Sequence, residues 1–341
     1  MQKYLSILSL LIPFSGCVKD KPAGPVQQQV QLTSAKKVYV VNEGRFQTGT
    51  GTISLYDTES GDVIENFYEA QNNAQIGNIA QSLNYINGNY YIVVNNAGKI
   101  VVCDNQLKKT GQISGLTSPR YILPITNQKA YVTDLYANAI SIVDLNTNLK
   151  TSQIYCYGKT EKMVQIYNKV FVTNTDRDYA YIINTLTDAI ADSVFVGKNA
   201  GSIMLDKHDK VWILGSGESP ASNGRLTKIN AVTNQVEAFI GFGANELPNN
   251  LCLNKTRDTL YYLNDGIFRM KISDNTLPSS AFIDKGSKNF YGIGINPNDY
   301  TIYAADAVDY TQRSNIYIFD VNGTQKSFFK AGIISNGFYF E

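Results

Sequence analysis

Histidine is almost missing from this chain: the 341 residues hold one, His208. Cysteine is scarce at four, and tryptophan occurs once. No excess of charge of either sign is present, since the formal net charge is +1. After the first residues, no apolar run approaches the length of about eighteen needed to span a bilayer. Each shortage excludes something. Nucleophilic catalysis of the Ser-His-Asp or Cys-His kind needs an imidazole beside a shielded nucleophile. His208 lies instead in Asp206-Lys-His-Asp-Lys, where an exposed turn histidine is the ordinary explanation. Zinc wants clustered Cys and His, whereas Cys103, Cys156 and Cys252 fall in three different repeats. They form neither a disulfide framework nor a metal set and read as small hydrophobes in strands. The neutral balance gives no reason to expect nucleic acid. No Gly-rich loop runs from a strand into a helix, so nucleotide chemistry has no support. An oxygen-only Ca²⁺ site could use Asp306 and Asp309 with backbone carbonyls, but their spacing is not that of a known calcium loop.

What is abundant is tyrosine, with 23 copies, and a repeat. The stretch 129–154, KAYVTDLYANAISIVDLNTNLKTSQI, reads as short β-branched and aromatic strands separated by Asx- and Thr-rich turns. The strand at 119–125 precedes it, giving a four-stranded meander. The position of Tyr131 recurs at Tyr39, Ile92, Phe171, Trp212, Tyr261 and Tyr303. Three residues after each comes Asn42, Asn95, Asp134, Asn174, Gly215, Asn264 or Asp306. A polar residue closes the third strand at Asp57, Asp104, Asp144, Asn184, Asn230 and Asp320, with Asp274 a looser match. A period of roughly forty residues with four strands is the mark of a propeller blade. Seven copies predict an all-β, seven-bladed β-propeller over 37–341, in which most tyrosines are packing residues.

Blade one supplies only three strands, beginning at Lys37-Val-Tyr-Val-Val, and the last residues, 337–341, have no blade of their own. Pairing them inside blade one closes the ring and removes two free edges. The other blades cover 81–113, 120–154, 163–194, 202–240, 250–283 and 291–329, and the longer loops include 68–79, 215–224 and 306–315. Residues 1–17 read as a leader. Lys3 gives a positive start, Leu5 to Ile12 an apolar stretch, and Phe14-Ser-Gly-Cys17 a small-residue cleavage site. That end resembles a bacterial lipobox, with Cys17 the lipidated residue. Residues 18–36, with Pro22, Pro25 and three consecutive Gln, read as a flexible tether.

In a propeller, the loops joining second to third strands and those joining successive blades share one face, and function concentrates on such loops. From them come Arg45, Phe46, Tyr136, Arg177, Tyr179, Tyr310 and Arg313, then Arg120, Tyr157, Phe242 and Asn289. Near the ends of second strands sit Asn42, Asn95, Asp134, Asn174, Asn264 and Asp306. Aromatic, amide and Arg residues suit a large, partly flat ligand edged with amides or hydroxyls. For any one of them, making a turn or bracing a blade is the plainer explanation; for the face as a whole, binding is favoured.

Val40-Val-Asn-Glu-Gly-Arg-Phe, Gly51-Thr-Ile-Ser-Leu-Tyr-Asp, Ser118-Pro-Arg-Tyr-Ile and Ala305-Asp-Ala-Val-Asp-Tyr-Thr-Gln carry a resemblance. From about Lys37 to the end, and in the lipobox, the chain resembles YncE-like propeller lipoproteins of the Bacteroidetes type. The best-understood members are surface-exposed cobalamin binders that sit over an outer-membrane corrinoid transporter. The resemblance implies a non-catalytic receptor, lipid-anchored at the outer membrane and exposed at the cell surface. It would bind a corrinoid on the loop-rich face and work beside a TonB-dependent transporter. Cobalamin would be its ligand and not a cofactor. Other classes remain open on the residues alone: an adhesion or scaffold propeller binding protein or glycan, and a lactonase- or lyase-type enzyme.

Overall fold

The structure, a computed structural model, describes residues 36–218 and 221–341. The leader, the tether up to residue 35 and Cys17 lie outside the described residues. Seven antiparallel four-stranded sheets follow one another along the chain, each a blade. Six are simple meanders. Blade 1 is composite: its order places Ser335–Phe340 beside Lys37–Asn42, then Thr52–Asp57 and Val63–Ile64. The closing strand thus begins two residues earlier than the apolar run at 337–341 suggests.

Side-chain alternation explains why blades stack. The second strand of each blade is a run of bulky apolar residues, as in Tyr39, Tyr131, Phe171 and Trp212, all essentially buried. One such cluster joins Tyr91 and Val93 of blade 2 to Ile122 and Val132 of blade 3, and equivalent clusters lie between the following pairs of blades. The core is therefore distributed between blades. Burying a side chain such as Phe171 fully is worth about 1.5–3 kcal/mol, and every blade depends on both neighbours for that gain.

The closing strand is held in the same way. Val38 pairs with Phe340, Val40 with Phe338 and Asn42 with Ser335. The Ser335 hydroxyl donates to Asn42 Oδ1 at 2.6 Å, and Lys37 Nζ meets Glu341 at 3.2 Å. Phe338 and Phe340 pack on Tyr303 of blade 7, with ring centroids 5.9 and 5.3 Å away.

The polar repeat is structural. Asp57, Asp104, Asp144, Asn184, Asn230 and Asp320 each accept backbone N–H groups from the turn that follows. These are Asx turns, which fix the hairpin between third and fourth strands. One element differs from the sequence expectation: the connection from blade 1 to blade 2 holds a short helix, Phe67–Asn72. It buries Phe67 and Tyr68, and its last residue, Asn72, donates to Leu107 O at 2.8 Å. A single amphipathic turn and a half leaves no periodic signal long enough to read.

Candidate functional site

The first strands of the seven blades line a central cavity of ≈ 1010 Å³. Its deeper wall is apolar, with Leu83, Leu123, Val164, Leu205 and Leu253 among its residues. Its mouth on the loop-rich face is polar, and the cause is a β-bulge that recurs in every blade. The register of the innermost strand slips next to Gln81, Arg120, Glu161, Gly201, Asn250, Tyr291 and Asn336. A bulge breaks the in-out alternation and re-aims a side chain. Seven bulges at one level turn a sheet edge into a ring, and six of its seven residues carry polar groups.

These groups are wired together. Arg120 Nε lies 3.1 and 3.0 Å from the two carboxylate oxygens of Glu161 in the neighbouring blade. Arg120 Nη1 donates to Gln81 Oε1, and Gln81 Nε2 donates to the Tyr121 hydroxyl at 3.4 Å. Across the mouth, Glu43 accepts from Asn336 Nδ2 at 2.8 Å and from the Tyr291 hydroxyl at 3.3 Å. Asn336 Nδ2 also donates to Gln81 O at 3.0 Å. The Asn250 amide donates to Tyr291 O at 2.6 Å.

Burial sets the electrostatics. Loss of water raises the Glu43 carboxyl above its ordinary pKa, against the hydrogen bond from Asn336 and the charge of Arg120. Burial is the largest single influence on Arg120 and works the other way, but the charge and hydrogen bond of Glu161, with Tyr121 and Glu43, together outweigh it and the guanidinium is held more firmly protonated. Burial lowers Lys162 and pushes the Cys252 thiol up to about 12, so Cys252 is no nucleophile. Cys103 and Cys156 are likewise pushed up by burial, to about 12 and about 11.

The residues singled out from the sequence separate into three groups. Arg120 and Tyr310 line the cavity; the Tyr310 ring stands edge-on to Tyr291 at 5.7 Å. Arg45, Phe46, Tyr136, Arg177 and Tyr179 are exposed. Arg45 braces the loop of blade 7 by donating to Thr311 O at 2.6 Å, and Tyr179 packs outward on Phe195 of the outermost strand. Asn95, Asp134, Asn174, Asn264 and Asp306 are buried latches. Asp134 accepts four backbone N–H groups, from Thr117, Ser118, Tyr136 and Ala137. Asn95 donates to Ser118 Oγ and Pro119 O, Asn174 to Tyr157 O, and Asn264 to Glu246. Asp306 accepts from the backbone of Asn289 and Val308. Each latch ties the end of a second strand to an inter-blade loop. Phe242 is buried as well, edge-on to Tyr262 in the core between blades 5 and 6.

Asp309 has its oxygens occupied by N–H and O–H donors of Thr311 and Gln312. Among the described residues, no group of three or more His, Cys, Asp or Glu is placed to hold a metal. His208 is exposed, its backbone N–H donating to Asp206 at 2.8 Å in the hairpin on the opposite face. Sequence reasoning missed Glu43, Gln81, Tyr121, Glu161, Lys162 and Asn336. The signal was there: aligning the repeats on the start of the first strand puts Gln81, Arg120, Glu161 and Asn336 in one column.

A family described as a domain of unknown function, DUF5074, matches residues 36–341. The chain belongs to that family. No curated protein matches it. Among solved structures, a quinonprotein alcohol dehydrogenase-like protein of Bacteroides thetaiotaomicron is similar, with a TM-score of 0.70 at 16% identity over 89% of this chain and 78% of that one. The periplasmic gluconolactonase of Pseudomonas aeruginosa has a TM-score of 0.64 at 9% identity, covering 89% of this chain and 99% of its own. The hydrazine synthase of Kuenenia stuttgartiensis gives 0.56 at 11% identity over 69% and 74%. At such identities the likeness of this DUF5074 member to the three is one of fold.

Proposed function

We propose that this protein is a non-catalytic receptor that captures a corrinoid on its loop-rich face, over the mouth of the central cavity. In this reading it is held at the outer membrane, facing outward, by lipid on Cys17, and passes its ligand to a transporter there. The observation that supports binding is the set of exposed rings on that face. Phe46, Tyr136 and Tyr157 are 61%, 65% and 72% exposed, and Tyr310 at the cavity is 44% exposed. Rings on loops of blades 1, 3 and 7 and between blades 3 and 4 serve no core there. A broad apolar ligand would cover them, and the mouth offers amides and an Arg to its polar edge. The corrinoid itself follows from the resemblance of the chain to surface cobalamin binders.

Titration calorimetry with cyanocobalamin tests this. One molecule should bind per chain, and replacing Phe46, Tyr136 and Tyr310 together by Ala should weaken binding by several kcal/mol, roughly the loss of central aromatic anchors. His208→Ala should change nothing. No heat with the unaltered protein would end the corrinoid assignment, and undiminished binding by the triple variant would move the site elsewhere.

A further inference from the structure

Among the described residues, Lys162 is the charged residue at the mouth of the cavity that the network leaves over. It follows Glu161 in the blade 4 bulge and lines the cavity, yet the Glu161 carboxylate is taken by Arg120. Among the described residues Lys162 forms no ion pair; its Nζ lies 5.7 Å from the centroid of the Tyr121 ring. A half-buried ammonium resting on one aromatic face recovers only part of the hydration it gave up. Tyr121 is incompletely used as well. Its hydroxyl accepts from Gln81 Nε2, but among the described residues its own proton has no acceptor. Burial raises its pKa, so that proton stays in place as a donor. Beside these groups the ring has a gap. The blade 5 bulge residue is Gly201, and a Cβ built there would meet nothing closer than Thr175 Cγ2 at 3.6 Å.

We propose that the central cavity contains an oxyanion site in which Lys162 pairs with, and the Tyr121 hydroxyl donates to, a carboxylate or phosphate group. Arg120 is not the primary anion ligand, because Glu161 and Gln81 already occupy it. The other carboxylate at the mouth, Glu43, is engaged by Asn336 and Tyr291. Lys162 thereby gains the counter-charge that folding denies it. The site stands whether or not the rim takes a corrinoid, since it requires only a small anion.

Inorganic phosphate and succinate, titrated calorimetrically into the protein at constant ionic strength held with sodium chloride, test the site. At least one of them should bind saturably, at a single site. Lys162→Met should weaken that binding about tenfold or more, as expected for losing a charge-assisted contact, while its melting temperature stays at or above that of the unaltered protein. Arg257→Met, at the opposite end of the cavity, should leave that binding unchanged. Should Lys162→Met not fold, Lys162→Gln serves for the same comparison. The proposal is overturned if neither anion saturates the unaltered protein, if the Lys162 variant binds as tightly, or if the loss follows Arg257. Binding of phosphate but not succinate would mark the anion as a phosphate, and the reverse a carboxylate.

Discussion

Glu43 shows how one side chain at the mouth carries a signature in pH. Water lost on folding raises its carboxyl pKa above the ordinary carboxylate value. As pH rises, the unfolded chain therefore releases this proton before the folded one does. The stability that the carboxyl contributes is complete below about pH 4 and is lost as pH climbs through the folded value. Glu43→Gln keeps an oxygen to accept from Asn336 and Tyr291 but cannot ionise. It should melt with the unaltered protein at low pH and above it at pH 7, the gap opening between. A gap independent of pH would show that Glu43 acts through packing alone. Asp134 is the opposite case, a residue that looks functional and is a latch. Asp134→Ala strands the N–H groups of Thr117, Ser118, Tyr136 and Ala137 that its carboxylate now accepts. Partly reached by water, they should cost about 3 kcal/mol in all. Urea unfolding should record that loss, while any ligand affinity of the folded variant stays as it was. A drop in affinity without a drop in stability would reverse the assignment.

At the scale of the element, the closing strand Ser335–Phe340 has more at stake than its length suggests. It is the innermost strand of blade 1, paired along Lys37–Asn42, and it seats Phe338 and Phe340 on blade 7 and Asn336 on blade 2. Removing residues 335–341 exposes the donors and acceptors of Lys37–Asn42 and uncovers apolar rings on both sides. The shortened chain should melt far below the full one or aggregate, and unchanged thermal stability would mean that the ring closes by other contacts. This strand was legible in the sequence because blade one lacked a strand and the C-terminus had one spare. The recurrent bulge was not. A bulge is one extra residue in a register, and register belongs to pairs of strands, so Gln81 and Glu161 looked like ordinary strand residues.

For the whole molecule, the proposed anchor gives the test that reaches beyond the propeller. If Cys17 is lipidated, Cys17→Ala should abolish labelling by fatty acid and shift the protein from the membrane fraction to the soluble one. A single chain holds a protein only marginally at a membrane, whereas a mature lipoprotein carries more than one. Unaltered protein that is soluble and free of lipid would remove the anchor.

Blade number, strand order and ring closure were determined by the sequence alone, because each is written in a local pattern repeated along the chain. The same repeat named the Asn and Asp positions without saying what they do. Asn95 and Asp134 read as a ligand-facing column until the structure showed their partners in the inter-blade loops. The cavity belongs to the tertiary structure. Glu43, Arg120, the neighbours Glu161 and Lys162, and Asn336 come from three blades and from both ends of the chain; the repeat aligns Arg120, Glu161 and Asn336 in one column, but no spacing in one sequence reports which of these groups pair. Periodicity encodes what a segment does with its neighbours along the chain. Closing the ring decides which side chains are then forced to share one space, and which of their charges are left to be answered by a ligand.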